Sequence, residues 1–284
     1  MNLRFTKMHG LGNDFIVVAA DNEDALPDAA GWRALADRHT GVGFDQALVV
    51  LPPRRADAAA FYRIYNADGS EVEQCGNGAR CVAEWLRLAG RAAAPDAGAG
   101  TGAAAGGTLR MDSLGGRVEA RFVAPGLVSV NMGVPRFAEP GESTLELDGR
   151  RLLFTEVSMG NPHIVLRVAD AATAPVDDLG RTLESHPRFP QRTNVGFLQI
   201  IDEGHARLRV YERGVGETLA CGTGACAAMA VGHRLGLLAD AVEIRLPGGS
   251  LQLQWRGEGA DIWMTGPAVV AFRGETGSGS VTPC

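Results

Sequence analysis

The sequence predicts an α/β (α+β) protein of two pseudo-symmetric domains produced by internal duplication. Each is expected to be a sheet wrapped around a central helix, with the active site in the interdomain cleft. Three observations carry this. First, the block Tyr65–Ala83, YNADGSEVEQCGNGARCVA, returns as Tyr211–Ala228, YERGVGETLACGTGACAA. Placing Cys75 on Cys221 also places Tyr65 on Tyr211, Glu71 on Glu217, and Gly76, Gly78 and Ala79 on Gly222, Gly224 and Ala225. Second, three more segments recur in the same order. Leu11-Gly12-Asn13-x-x-Ile16-Val17 returns as Met159-Gly160-Asn161-x-x-Ile164-Val165, and Val42-Gly43-Phe44-x-Gln46 as Val195-Gly196-Phe197-x-Gln199. Phe61–Tyr65 returns approximately as Arg207–Tyr211. Two units are too few for a solenoid. Third, the helix opened by Cys75 is apolar almost all round (Ala79, Val82, Ala83, Trp85, Leu86), the pattern of a helix enclosed by sheet.

Taken in order, residues 3–9 and 15–20 read as strands split by the loop Gly10–Asp14. Trp32–His39 has helical spacing, and a Gly-rich turn leads to the strand Ala47–Leu51. Phe61–Tyr65 alternates as a strand and feeds the first cysteine block, whose helix runs to about Leu88 with Gly90 as its C′ residue. The Ala/Gly-rich stretch 92–107 reads as a mobile loop without chemistry. Strands resume at Thr108–Met111, Arg117–Phe122 and Leu127–Met132, after which the second half repeats the first. The halves are expected at 1–124, completed by 268–284, and at 125–267.

Composition narrows the function. At 284 residues, 45% hydrophobic and 21% charged, the chain has the make-up of a globular protein with two cores. A net charge of −6 without a basic stripe gives no case for nucleic acid. The apolar run Phe15–Ala20 is too short for a signal peptide or a membrane span, so a cytoplasmic protein is expected. Five cysteines make no disulfide framework, and Cys75-x5-Cys81 and Cys221-x4-Cys226 lack zinc spacing, so no metal is expected. Lys7 is the single lysine, which leaves pyridoxal phosphate only that anchor. No dinucleotide fingerprint is present, and no cofactor is expected.

The chemistry lies in the repeated block. A cysteine in the first turn of a helix sits among unsatisfied N–H groups at the positive end of the dipole. Both stabilise a thiolate and can hold a carboxylate beside it. Two such helix starts brought together could move a proton from one face of an α-carbon to the other. Either cysteine alone reads equally as a small buried residue. Cys81 and Cys226, further along the helices, read as core, and Cys284 as idle. Asn13, Asn66, Asn161 and Asn194 are turn formers singly; together they resemble a ring of amides around a polar ligand. Glu212 and Arg213 are either a solvated pair or a clamp for an ammonium and a carboxylate. His163 reads either as a satisfied half-buried residue or as an influence on catalysis. A cysteine hydrolase using His163 would leave the second cysteine unexplained, and a non-catalytic amino-acid-binding protein would need neither thiol.

The chain resembles the diaminopimelate epimerases from end to end. The matching blocks are MHGLGNDF, RHTGVGFDQ, NADGSEVEQCGNGAR, VSMGNPH, TNVGF, YERGVGET, ACGTGACA, LPGGSL and MTGPA. The resemblance implies a cofactor-independent isomerase of lysine and peptidoglycan-precursor biosynthesis, working as a homodimer on diaminopimelate. By position it makes Cys75 and Cys221 the acid/base pair. Backbone at Gly76, Asn77, Gly222 and Thr223 would receive the reacting carboxylate. Asn13, Gln46, Asn66, Asn161, Asn194, Glu212 and Arg213 would hold the remaining substrate, and His163 and Glu212 would tune the thiols. Another two-thiol racemase of this fold, such as a proline racemase relative, would have no use for the Glu212–Arg213 pair. Phe272 stands where relatives often carry tyrosine, which removes one hydrogen bond from the implied dimer contact.

Overall fold

The computed structural model describes residues 2–24, 26–92 and 107–277. The Ala/Gly-rich loop predicted at 92–107 lies, but for its two ends, outside the described residues, as does Cys284. In chain order the elements are β1 (Arg4–Gly10), β2 (Asn13–Ala19), α1 (Ala29–Ala36), β3 (Gln46–Leu51), β4 (Phe61–Asn66), β5 (Glu71–Val72), α2 (Gly76–Leu88), β6 (Leu109–Ser113), β7 (Gly116–Ala124) and β8 (Leu127–Asn131). There follow β9 (Arg136–Phe137), β10 (Ser143–Leu147), β11 (Arg150–Ser158), β12 (Pro162–Arg167), α3 (Val176–Glu184), β13 (Asn194–Asp202), β14 (His205–Glu212), β15 (Gly216–Thr218), α4 (Gly222–Arg234), β16 (Ala241–Leu246), β17 (Gly249–Gln254), β18 (Trp263–Pro267) and β19 (Val269–Glu275). None of the described helices is long and apolar enough to cross a membrane.

Two compact units result: residues up to Val130 with those from Gly266 onward, and Asn131–Thr265. In the first, β19 pairs antiparallel with β1, β1 with β2, and β2 runs parallel to β3. β3 is antiparallel to β4, whose far edge is shared by the short hairpin strand β5 and the parallel strand β6. Antiparallel pairs β6–β7 and β7–β8 complete it. The second unit has the same plan from β11 to β18: antiparallel, parallel, antiparallel, a shared edge on β14, then two antiparallel pairs. β9 and β10 add to the outer edge of β11.

The register corrects one of the repeats read from sequence. Phe15 lies opposite Gln46 in one parallel pair, and His163 opposite Asn194 in the other. Ala47 faces Tyr65 as Val195 faces Tyr211, so the counterpart of Gln46 is Asn194, not Gln199. Val42-Gly43-Phe44 forms the turn into β3, whereas Val195-Gly196-Phe197 is the buried middle of β13. The other matched segments keep their equivalence.

Each unit encloses one helix. In α2 every residue from Gly76 to Glu84 is buried, as is Leu86, and in α4 so are Gly222 and every residue from Gly224 to Gly232. α2 packs on β1, β2, β3 and β7, and α4 on β11 to β14, β16 and β17. Burial of a large apolar side chain contributes about 1.5–3 kcal/mol; Val82 and Leu86 of α2 and Met229 and Val231 of α4 are so buried, and on α2 the charged Arg80 and Glu84 are buried with them. The outer helices are one-sided. α1, capped by Asp28, turns Trp32 inward to stack on Tyr65 at 5.2 Å, and α3 buries Val176 and Leu183 against Phe154, Phe189 and Phe197. Ala89 ends α2, and Gly90 follows at φ +68°, as the sequence reading expects.

The central helices begin alike. Cys75 (φ −149°, ψ 112°) and Cys221 (φ −113°, ψ 108°) are the N-caps, and each sulfur accepts from the backbone N–H three residues on, of Gly78 or Gly224, at 3.4 Å. That third position is glycine where space is short: the sheet crowds it in both units, and the sulfur crowds it as well in the second. A Cβ at Gly224 would lie 3.2 Å from Cys221 Sγ and 2.9 Å from Val210 Cγ2, and at Gly78 2.9 Å from Leu48 Cδ2. We expect Gly224→Ala to destabilise the protein by about 1–3 kcal/mol in urea unfolding, the usual cost of overfilling a packed site. Wild-type stability in that variant would show that the helix start is not close-packed.

Candidate active site

In the first unit the cysteine helix start faces two asparagines. Asn77 Nδ2 donates to Asn13 Oδ1 at 3.2 Å, and the Cys75 thiol approaches the same oxygen at 4.0 Å. The other end of each amide is held by an ion: Asn13 Nδ2 donates to Asp45 Oδ2 at 2.9 Å, and Arg80 donates to Asn77 Oδ1 at 2.9 Å. Gln46 and Asn66, opposite each other on β3 and β4, are joined at 2.9 Å. Behind Asn13, Arg38 bridges Asp14 and Asp45 at 2.7 and 2.8 Å, and Lys7 pairs with Asp14 at 2.5 Å and with the Gly43 carbonyl. Burial acts to raise the Asp14 pKa, but hydrogen bonds from Arg38 and Lys7 outweigh it and hold the carboxyl well below its usual range. Lys7 is thus committed to a buried ion pair, which a Schiff base would have to break.

In the second unit the chain of contacts is longer. The Cys221 thiol donates to Glu212 Oε2 at 3.1 Å, and the Thr218 hydroxyl donates to Glu212 Oε1 at 2.5 Å. Thr223 Oγ1 lies 3.6 Å from the sulfur and accepts from Asn161 Nδ2 at 3.4 Å. His163 Nε2 reaches Asn161 Oδ1 at 3.0 Å. Asn194 serves the backbone, accepting from Arg213 N at 3.0 Å and donating to the Pro162 carbonyl at 2.8 Å. The Glu184 carboxylate, only 3% exposed, accepts from Gly214 N at 2.8 Å and so fixes the turn beyond Arg213. The Arg213 side chain is exposed and donates to the Gln191 carbonyl at 3.2 Å.

The expectation that a helix start favours thiolate is corrected at Cys221. Burial is the largest influence and pushes the thiol well above its ordinary value, and the charge and hydrogen bond of Glu212 push the same way. The Thr223 hydroxyl and the Gly224 N–H oppose them and lose. Cys221 is therefore a thiol here, beside a carboxylate able to take its proton. Full burial depresses His163 to about 3, so the imidazole is neutral and contacts Asn161 rather than a sulfur. Cys81 and Cys226 are wholly buried, Cys81 with its pKa pushed up to about 12 by burial. Among the described residues no cluster of His, Cys, Asp and Glu could hold a metal ion.

Sequence reading passed over Asp45, Arg80, Glu184 and Thr218. Arg80 had a visible signal, a charged residue, like Glu84, among the small and apolar residues of a central helix. The others sit on turns and strand ends, where an isolated polar residue carries no pattern.

Two units of one topology, each enclosing a helix, make a known fold. The fold is that of a hydroxyproline epimerase from Agrobacterium vitis, solved with bound trans-4-OH-L-proline (TM-score 0.72, 16% identity, 97% of this chain and 92% of that one). The two units thus have the architecture of the amino-acid epimerases. Within that class, the diaminopimelate epimerase family model matches residues 5–138 and 155–271, and the chain belongs to that family. It is 49% identical to the diaminopimelate epimerase of Ectopseudomonas mendocina (strain ymp) and 48% identical to that of Stutzerimonas stutzeri (strain A1501). Each match covers 97% of this chain and 99% of the relative.

The buried histidine gives a pH signature. The unfolded chain protonates His163 near 6.5, while the folded one does not until about 3, so the unfolded state binds more protons between those values. This contribution to stability is complete above pH 6.5 and falls as pH drops toward 3. We expect His163→Gln to flatten the acid-side loss of stability by up to about 1.4 kcal/mol per pH unit. Unchanged slopes in chemical denaturation across that window would mean the imidazole is protonated in the fold.

Proposed function

We propose that the chain interconverts LL-2,6-diaminoheptanedioate and the meso isomer by a two-thiol proton transfer. The reaction is the family's, an isomerase step of lysine biosynthesis. The observation that carries the two-thiol reading is the hydrogen bond from the Cys221 thiol to Glu212 at a helix start whose twin carries Cys75 in the same capping geometry. For LL to meso, Cys221 passes its proton to Glu212 and becomes thiolate. The thiolate takes the α-proton, and the Cys75 thiol delivers its own to the opposite face, which leaves Cys75 as thiolate. Solvent then returns the proton on Glu212 to Cys75, and for meso to LL the roles exchange. The N–H groups of Gly76, Asn77, Gly222 and Thr223 stabilise charge building on the reacting carboxylate. Asn13, Gln46, Asn66, Asn161 and Asn194 line the substrate or hold the groups that do. Arg213, exposed beside the turn fixed by Glu184, grips the distal carboxylate, and Glu212 attracts the distal ammonium. No pyridoxal phosphate takes part.

Two measurements test this. In deuterated water the meso product should carry deuterium at the inverted carbon from the earliest turnovers; early product that retains its original proton would overturn the two-base route. Glu212→Gln, which cannot take the Cys221 proton, should lower kcat by about 10²–10⁴. A kcat near wild type would remove Glu212 from the proton path.

We propose further that the enzyme is a cytoplasmic homodimer joined along β19. This strand pairs only with β1 among the described residues and leaves Phe272 50% and Val269 40% exposed, an apolar edge that a monomer has reason to cover. Phe272 packs on Phe5 edge to face at 6.0 Å, without a hydroxyl to hydrogen-bond a partner. Phe272→Asp should therefore sediment as a monomer at micromolar concentration; a dimer surviving that change lies elsewhere.

A further inference from the structure

Arg80 is wholly buried, an expensive place for a cation, and it sits one turn beyond the start of α2. It donates to Asn77 Oδ1 at 2.9 Å and to the Pro267 carbonyl at 3.4 Å. Gly10 leaves room for it, since a Cβ there would lie 3.1 Å from the guanidinium. Asp45 holds the far side of the same group of contacts, with Oδ2 accepting from Asn13 Nδ2 and Oδ1 facing Arg38.

These two charges have opposite hydrogen-bonding capacities. A guanidinium can only donate and a carboxylate can only accept, whereas an amide presents one face of each kind. Asn77 must therefore turn its oxygen to Arg80, and Asn13 must turn its nitrogen to Asp45. The opposite ends then match each other, Asn77 Nδ2 against Asn13 Oδ1 at 3.2 Å. Flipping either amide would set donor against donor or acceptor against acceptor at two places at once, in a partly buried site where unmade hydrogen bonds are costly. We propose that Asp45 and Arg80 are positioning residues that lock the Asn13 and Asn77 amides in a single orientation, so that Cys75 faces a carbonyl oxygen and not an N–H. This rests on the reading of Cys75 as an acid/base group.

The consequence is chemical. An oxygen beside the sulfur accepts the thiol proton or an N–H of the substrate ammonium, and both leave Cys75 able to act as an acid. A flipped Asn13 would aim an N–H at the sulfur and stabilise the thiolate, which has no proton to deliver. The device belongs to the first unit alone. The register puts Thr193 where Asp45 stands, and the repeat puts Cys226 where Arg80 stands. In the second unit Asn161 meets His163 and Thr223, each of which can donate or accept, so no charge dictates that amide's orientation.

The test is a pair of double-mutant cycles on purified enzyme with LL-diaminopimelate. Asp45→Asn and Arg80→Met should each lower kcat about tenfold or more, as misplacement of a reacting group does, with KM within about threefold. In an Asn13→Ala background Asp45→Asn should change kcat by less than about twofold, and so should Arg80→Met in Asn77→Ala, because the group each acts through is gone. Arg80→Lys, which keeps a cationic donor, should recover most of the loss. Losses that multiply fully in both backgrounds, or wild-type kcat in Asp45→Asn, would overturn the lock. Should Arg80→Met fail to fold, the Asp45 cycle decides alone, since that side chain is 43% exposed. Iodoacetamide alkylation of Cys75, read by peptide mass against pH, reports its environment without catalysis. Its midpoint should move to lower pH in Asp45→Asn but hold in Asp45→Asn with Asn13→Ala, relative to Asn13→Ala alone. An active Cys75→Ser would sink the acid/base reading while leaving that alkylation result standing.

Discussion

Both halves of the chain depend on a sulfur atom closing the first turn of a buried helix. Sulfur is a weak acceptor, and Ser, Thr, Asp or Asn would cap more strongly. On the proposed two-thiol route the weaker cap follows from the chemistry, because the atom that satisfies the Gly78 or Gly224 N–H is also the one that exchanges a proton. Much else follows from that placement. Glycine as the third helical residue leaves room beside the sheet and, in the second unit, beside the sulfur. The helix must be enclosed on all sides, because its start has to be dry. The sheet must therefore wrap it, and the strand running into each cysteine must end in a hairpin that returns to the helix start. Arg63 with Glu71 and Arg209 with Glu217 tie those hairpins in the same bidentate way, at 2.5–2.7 Å.

On this shared scaffold the charges differ. The position of Glu212 beside Cys221 is taken by Asn66 in the first unit, and the ions around Cys75 have uncharged counterparts in the second. Duplication accounts for the common geometry, whereas two thiols in identical surroundings would share one protonation state. The proposed relay needs one to hold a proton while the other lacks it, and the asymmetry of the two helix starts fits that need.

The repeat itself was legible because it is written in glycines and cysteines, residues whose geometry few others can replace. Cys75, Cys221, Gly78 and Gly224 mark the helix starts in sequence as clearly as in space. Alignment slipped at Val42-Gly43-Phe44 because that triplet supplies a buried Phe44 from a turn, and its lookalike supplies Phe197 from a strand. Composition does not distinguish the two; only strand register does. Asp45 and Thr218 escaped for a related reason. Each acts on a residue distant in sequence, at separations set by β-pairing, and no local period announces it. The thiolate expectation failed at Cys221 because it weighed the helix dipole and left out burial. A dipole favours a charge by a few tenths to about 2 kcal/mol, whereas removing an anion from water costs more unless it is paired.

That imbalance bears on when the base forms. A dry Cys221 beside a carboxylate resists ionisation, which disfavours its oxidation and alkylation at rest, since both need thiolate. On the proposed route, ionisation of Cys221 becomes favourable when positive charge arrives beside the sulfur, and diaminopimelate carries two ammonium groups. An ammonium beside the sulfur would lower the cost of moving the proton from sulfur to carboxylate, and one beside Glu212 would raise it, because the transfer moves the pair's negative charge onto the sulfur. On this reading the reactive form of the thiol is made by the molecule it acts upon. Enclosure, which at first sight works against catalysis by holding Cys221 neutral, limits that form to the occupied site.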